Sequence, residues 1–296
     1  MDLAAEIDRA ALAAEPDIRR QVRLAVAGLR VGLDRDRLRV LALRGDVSVL
    51  LAAFNWPVFE WRMGQVTDIF ERTMRRSARQ AASALGVPVQ KATPITLTGR
   101  LRLWNPAAVR MAARIAARLI TRITLETQQA IRAVIVRALA EGLAVREQAD
   151  LIADILMDVA GVTERQAIAI MNYRAALKTK GMDPARINKL VRAMRDRAIQ
   201  QRAEVIARTE TVAAANAGVQ ATWDEMRQQG ILPDHIRRQW LTARDERTCP
   251  ICKPMDGQVR AFGELFESPA NNALIEFPPI HPQCRCTMTL NPADLE

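Results

Sequence analysis

Five residues near the C-terminal end of the sequence have the types and spacing to bind a metal. Cys249-Pro250-Ile251-Cys252 is a Cys-x2-Cys knuckle, and His281-Pro282-Gln283-Cys284-Arg285-Cys286 offers a His-x2-Cys pair followed by one more thiol. Thiolates and a neutral imidazole suit the borderline-soft zinc ion, and two pairs at this spacing can converge on one tetrahedral site. Five candidates compete for four places. The spacing favours Cys249, Cys252, His281 and Cys284, because each pair then has the two-residue gap of a knuckle; Cys286 in place of His281 is the alternative. All 4 cysteines of the 296-residue chain fall in this one stretch, which reads as a local metal site and not as a disulfide framework. A redox dithiol would open a helix after a strand, whereas Pro254 and Asp256-Gly257 enforce a turn here.

The same residues argue for structural zinc and against catalysis. A catalytic ion keeps one position for water, with a carboxylate nearby as base, while five candidate ligands in one cluster predict a filled shell. The sequence contains no His-Glu-x2-His or His-x-Glu pattern, no Gly-rich phosphate loop and no Gly-x-Ser-x-Gly elbow. The expectation is a chain without enzymatic activity and without catalytic or organic-cofactor residues. His235, the other of the 2 histidines, is expected in an exposed Pro233-Asp234-His235 loop.

The elements that must carry this cluster read as mainly helical. Aromatic residues are 4% of the chain and the apolar content is mostly Ala, Leu, Ile and Val, a mixture that favours helices. Helices are expected over residues 1–85, broken at Glu15-Pro16-Asp17 and near Gly45, with the aromatic stretch from Trp56 to Trp61 acting as a core plug. Gly86 to Gly99, with prolines and β-branched residues, reads as extended. Asn105-Pro106 caps and starts a long amphipathic helix closed by Gly142. A shorter helix ends at Gly161, Thr163 with Gln166 has capping-box spacing before a helix ending at Gly181, and Asp183-Pro184 starts a long helix towards Gly218 or Gly230. Beyond Gly230, Arg238 to Ala243 reads as a strand, Asp256-Gly257 as a hairpin turn, Gln258 to Phe262 as its return and Cys286 to Leu290 as a last strand. The fold class is therefore mainly α, a helical array with a small C-terminal β-rich zinc-binding unit. The expected organisation is an N-terminal helical region at 1–85, a linker at 86–104, a central helical domain at 105–229 and a zinc-knuckle β unit at 230–296, the last too poor in apolar residues to be comfortable alone.

Charge is unevenly placed along the chain. Residues 1–229 hold 36 Lys and Arg against 24 Asp and Glu, a net +12, whereas residues 230–296 hold 7 against 9, a net −2. The basic field favours nucleic acid or an acidic protein partner, with a plainly solvated helical surface as the alternative, since the arginines are scattered without interleaved aromatics. No apolar run is long enough to span a membrane, and the acidic start Met1-Asp2-Leu3-Ala4-Ala5-Glu6 lacks the form of a secretory signal, so a soluble protein that starts in a cytoplasm is expected.

Several stretches then occur in a telling order. These are Ile206-Ala207-Arg208-Thr209-Glu210-Thr211, Ala215-Asn216-Ala217-Gly218, Trp240 to Asp245, Arg247 to Cys252, Asp256-Gly257, and Pro278 to Cys286. Their order and spacing over about residues 105–290 resemble the phage head morphogenesis family, the minor head proteins similar to the Mu F protein. Residues 1–100 carry no recognisable motif. The resemblance implies a low-copy minor capsid component of the head interior and portal vertex, acting in head assembly and sometimes delivered with DNA. Its partners would be the portal protein, capsid proteins and packaged DNA contacted non-specifically, with no membrane. Its location would be the virion, after assembly in the host cytoplasm. Arg208 and Glu210 occupy family-motif positions and are expected to support the zinc unit by hydrogen bonds or salt bridges. Some family members resemble fusions to toxin enzymes; with Glu296 so close behind the cysteines, no such domain is expected here. The other function class is a zinc-knuckle nucleic-acid-binding regulator, which should place arginines around the cysteines, yet residues 230–296 are net negative.

Overall fold

In the computed structural model, which describes residues 3–44, 46–86, 106–140 and 145–295, the chain is mainly α with small strands after residue 237. The helices are α1 (Leu3–Leu29), α2 (Arg35–Ala42), α3 (Val47–Ala52), α4 (Trp56–Gly64), α5 (Val66–Ala84), α6 (Pro106–Leu139), α7 (Val145–Val159), α8 (Glu164–Thr179) and α9 (Pro184–Gln228). The strands are β1 (Arg238–Leu241), β2 (Val259–Arg260), β3 (Phe266–Glu267), β4 (Leu274–Ile275) and β5 (Thr287–Leu290). The helical punctuation of the second half follows the sequence closely. Thr163 and Gln166 form a reciprocal capping box, Asp183 accepts from the Arg186 N–H at 3.0 Å, and α9 runs through Gly218 to stop before Gly230. The expected linker at 86–104, the cap at Asn105 and the stops at Gly45 and Gly142 lie outside the described residues, apart from Gly86, which follows a turn at the end of α5.

One expected break is absent. Pro16 lies inside α1, and the helix continues through it. The buried stripe Ile7, Ala11, Ala14, Ile18, Val22, Ala25 and Leu29 keeps its helical period on both sides of the proline. Burying each large aliphatic side chain contributes about 1.5–3 kcal/mol, so several together exceed the roughly 3 kcal/mol an interior proline costs.

The chain divides into two compact units, each assembled from separate segments: the first from Met1–Ile18, Val66–Ala117 and Val205–Glu296, the second from Arg19–Gln65 and Arg118–Glu204. In the first unit, β1 is the centre of an antiparallel sheet of order β2-β1-β5, with Trp240 opposite Met288, and β3 pairs with β4 in a separate hairpin. This β-rich segment does not have to supply a core alone. Trp240, Met255, Phe266 and Met288 share one apolar cluster with Ile7 of α1, Ala81 and Ala82 of α5, and Val212, Val219 and Trp223 of α9. Gly218 is required by that packing: a Cβ there would lie 2.4 Å from the Met74 carbonyl oxygen on α5.

Arg238, 1% exposed, ties the β loops to α9 within this unit. Its guanidinium donates to Gln220 Oε1 at 3.0 Å and to the carbonyls of Ala261, Glu264 and Glu276.

In the second unit, α2 lies along α7, with Arg35 bound to Asp154 at 2.6 Å and Arg39 to Asp150 at 2.8 Å. The aromatic stretch divides: Phe59 is buried, Trp56 donates to the Leu51 carbonyl, and Trp61 is 59% exposed. Gly161 has φ +92°, and a Cβ there would lie 2.2 Å from Val26 Cγ1. Deep in this unit, Arg174 and Asp158 form a buried ion pair at 2.6 Å.

Candidate metal centre

Two tight turns present the candidate ligands. The Cys249 carbonyl accepts from the Cys252 and Lys253 N–H groups at 3.1 and 3.0 Å, and the His281 carbonyl accepts from Cys284 N–H at 3.2 Å. Gln283 adopts φ +60° at the second turn. In both, a two-residue gap lets the chain reverse so that its flanking side chains converge, the geometric reason for knuckle spacing.

The structure brings all five sequence-predicted residues together. The ligand atoms of Cys249, Cys252 and His281 lie within 4.8 Å of one another, as do those of Cys252, Cys284 and Cys286, so Cys252 belongs to both groups. His281 Nε2 sits 3.1 Å from Cys249 Sγ and 3.0 Å from Cys252 Sγ. The Cys252 and Cys284 sulfurs are 3.9 Å apart. A zinc tetrahedron with Zn–S bonds of about 2.3 Å has S···S edges of about 3.8 Å, which matches that separation. His281 Nδ1 lies 2.7 Å from the Pro282 carbonyl. That bond places the proton on Nδ1 and turns the Nε2 lone pair toward the thiols, the usual way a second contact orients a metal-binding imidazole.

The four thiols cannot all ionise without a cation. Hydrogen bonds from Cys252 and Cys286 hold Cys284 far below the usual thiol range, and donation to Cys284 pushes Cys252 far above it. Burial lowers His281, but its bond to the Pro282 carbonyl and the charges at Cys284 and Cys249 carry it above its ordinary value. Negative charge is thus favoured at Cys284 and Cys249 and disfavoured at Cys252 and Cys286. A divalent cation reverses this electrostatics, because a coordinating thiol is deprotonated outright. Donor types, convergence and the oriented imidazole therefore fit a metal ion. The cavity they line measures about 30 Å³, room for about one water-sized species.

Side chains outside the ligand set hold the two turns together. Arg285, between Cys284 and Cys286, grips Asp245 through two parallel bonds of 2.5 and 2.6 Å. Asp245 in turn accepts from the Arg247 N–H at 3.1 Å, just before the first knuckle. The hydrogen bonds from Arg285 hold the Asp245 carboxyl well below the usual range. From α9, the Thr209 hydroxyl accepts from Gln283 N–H at 3.0 Å, and Asn216 accepts from the Thr287 hydroxyl at 3.0 Å while donating to the Cys286 carbonyl. The sequence reading assigned no role to Asp245, Arg285, Thr209 or Asn216. Asn216 carried a signal, a lone amide in the alanine-rich run Ala213 to Ala217, and a polar group on such a face needs a buried partner.

Arg208 is placed differently from the expectation. It points to α1, pairing with Glu15 and Asp8 at 2.8 Å each. Glu210 is buried on the same turn of α9. His235 is exposed and belongs to neither ligand group.

The family model described as Phage Mu protein F like protein matches residues 129–289, from α6 to β5. The chain belongs to the phage Mu protein F like family. The phage head morphogenesis resemblance seen in the sequence is thus upheld, and the matched span includes every candidate metal ligand and the α9 residues that brace them. A comparison with curated proteins and with solved structures finds no match.

Proposed function

We propose that this phage head morphogenesis protein is a low-copy minor capsid component that docks at the portal vertex and head interior during assembly and touches packaged DNA without reading its sequence. The observation that carries the reading is the family match over residues 129–289, which ends on the Cys/His segment. Its zinc ion is held by Cys249, Cys252, His281 and Cys284, with Cys286 as the alternative to His281, and serves as a structural staple. The small cavity of about 30 Å³ among these residues is consistent with that role. We also infer that the chain has no enzymatic activity. Capsid and portal proteins are its partners, and among the described residues no helix is long and apolar enough to cross a membrane.

Location and metal are tested separately. Crosslinking, or cryo-EM density at the portal vertex of procapsids and mature particles, should find the chain next to the portal; absence from both kinds of particle removes the virion role. Metal analysis of anaerobically purified protein should give about one equivalent of zinc. A folded, metal-free sample removes the staple.

A further inference from the structure

The chain's excess charge lies in one unit. The second unit, Arg19–Gln65 with Arg118–Glu204, holds 24 Lys and Arg against 14 Asp and Glu, a net +10. The first unit, with the metal cluster, holds 19 of each and is neutral. Within the second unit, the opening half of α9 exposes Arg186, Lys189, Arg192 and Arg197 along about 16 Å of helix. None of the four has a carboxylate partner among the described residues; Arg197 bonds only the Ala193 carbonyl, and Asp196 between them is taken up by Arg195.

That arrangement works against the helix itself. Arg186/Lys189 and Lys189/Arg192 are like charges three residues apart, and Arg186 sits in the first turn, where the helix dipole disfavours cations. The helix end is already capped by the Asp183 carboxylate, so the N-terminus is not the attraction. The positive field extends inward: burial first, then the charge of Arg195, with Arg192 adding to it, hold the Arg30 guanidinium below its ordinary pKa. Cations so placed are available to an anion from outside the chain. No large apolar side chain is exposed between residues 184 and 204, so this face offers no anchor of the kind protein interfaces use. It carries no exposed aromatic on which a single strand would stack. What it matches is a regular phosphate backbone, which presents about one charge per 1.7 Å of duplex axis, hence about ten along this stretch.

We propose that the exposed face of α9 formed by Arg186, Lys189, Arg192 and Arg197 is the surface on which duplex DNA docks through its phosphates. This rests on the DNA clause of the function proposed above and assigns that clause to four residues. Neutralising them removes about four phosphate contacts at about 0.9 each in the log–log salt dependence of affinity.

The test uses the full-length protein and a fluorescent duplex of arbitrary sequence, with affinity measured by anisotropy across a salt series. Combining Arg186→Gln, Lys189→Gln, Arg192→Gln and Arg197→Gln should flatten the salt slope by about 3.6. A matched set on α5 in the neutral unit, Arg72→Gln, Arg75→Gln, Arg76→Gln and Arg79→Gln, should leave the slope within about one unit of wild type. Keeping the charge with Arg186→Lys, Arg192→Lys and Arg197→Lys should retain it, and circular dichroism checks folding of every variant. If wild type binds and the α9 set keeps its slope, this assignment fails and the DNA clause stands. If wild type shows no salt-dependent duplex binding, both fail. Displacement of the duplex by poly-glutamate as effective per charge as by unlabelled DNA would hand this face to an acidic polypeptide instead.

Discussion

The two units solve the same problem, holding a large arginine complement in place, in opposite ways. In the first, positive and negative charges are equal in number, and arginines act as internal ties: Arg208 to Asp8 and Glu15, Arg285 to Asp245, Arg237 to Asp294. Arg238 is buried outright and spends its donors on backbone carbonyls. In the second, a few arginines are internalised, notably Arg174 with Asp158 and Arg202 with Glu126, and the unit keeps a net charge of +10. The lesson is that net charge is a poor guide until the fold shows which charges are already neutralised. Neutralised guanidinium groups build structure, and the remainder are available to a partner.

The sharpest way to break the comparison is to disrupt the proposed metal site. Structural zinc in small fingers is worth about 10–16 kcal/mol, and a proposed zinc here would share the work with the apolar cluster of the first unit. We expect Cys252→Ser, which strikes the thiol common to both ligand groups, to abolish stoichiometric zinc and to raise hydrogen exchange at β1, β5 and the end of α9. Exchange in α2, α7 and α8 should not change. Equal loosening of both sets of elements would show that the two units share one stability.

The converse lesion lies in the second unit. Asp158→Ala leaves Arg174 buried without its closest partner and is expected to cost about 3–5 kcal/mol in denaturant unfolding, while zinc content stays at one equivalent. Retained stability would mean that Asp154, 3.9 Å from Arg174, suffices as counter-charge. Next in size is Gly218→Ala, whose added Cβ meets the α5 backbone; about 1–3 kcal/mol is expected, read as a lower midpoint with unchanged slope.

The smallest effect concerns pH. Hydrogen bonds from Arg285 and Arg237 depress Asp245 and Asp294, the latter to about 2. A depressed carboxyl contributes stability that is complete above its unfolded pKa of about 3.9 and is lost as pH falls toward the folded value. Asp245→Asn should therefore reduce the decline in stability of the first unit between about pH 4 and pH 2. An unchanged acid limb would show that the Asp245–Arg285 fork does not couple to folding.

Much of the architecture was legible because it is written locally. A capping box is a four-residue pattern, a knuckle is a two-residue gap, and a helix stop is one glycine; Thr163/Gln166, Cys249/Cys252 and Gly230 each carry their meaning within a turn or two of chain. Pro16 misled for the complementary reason, since a local penalty was outweighed by a buried stripe whose partners the local sequence does not reveal. The short β3–β4 hairpin also escaped, its two-residue strands being too brief to show a period.

The sequence by itself thus determined the helix boundaries of the second half, the donor set for a metal and the family to which the chain belongs. Only the tertiary structure decided that Thr209 and Asn216 brace the metal turns from α9, that Asp245 locks to Arg285, and that Arg208 turns to α1 instead. It also moved the charge boundary from residue 229 to a division between units built of interleaved segments. These are pairings between residues 40 to 200 positions apart, as in Asp245–Arg285 and Asp8–Arg208. No local pattern encodes such a pairing, because its partner is chosen by whichever apolar faces bury together.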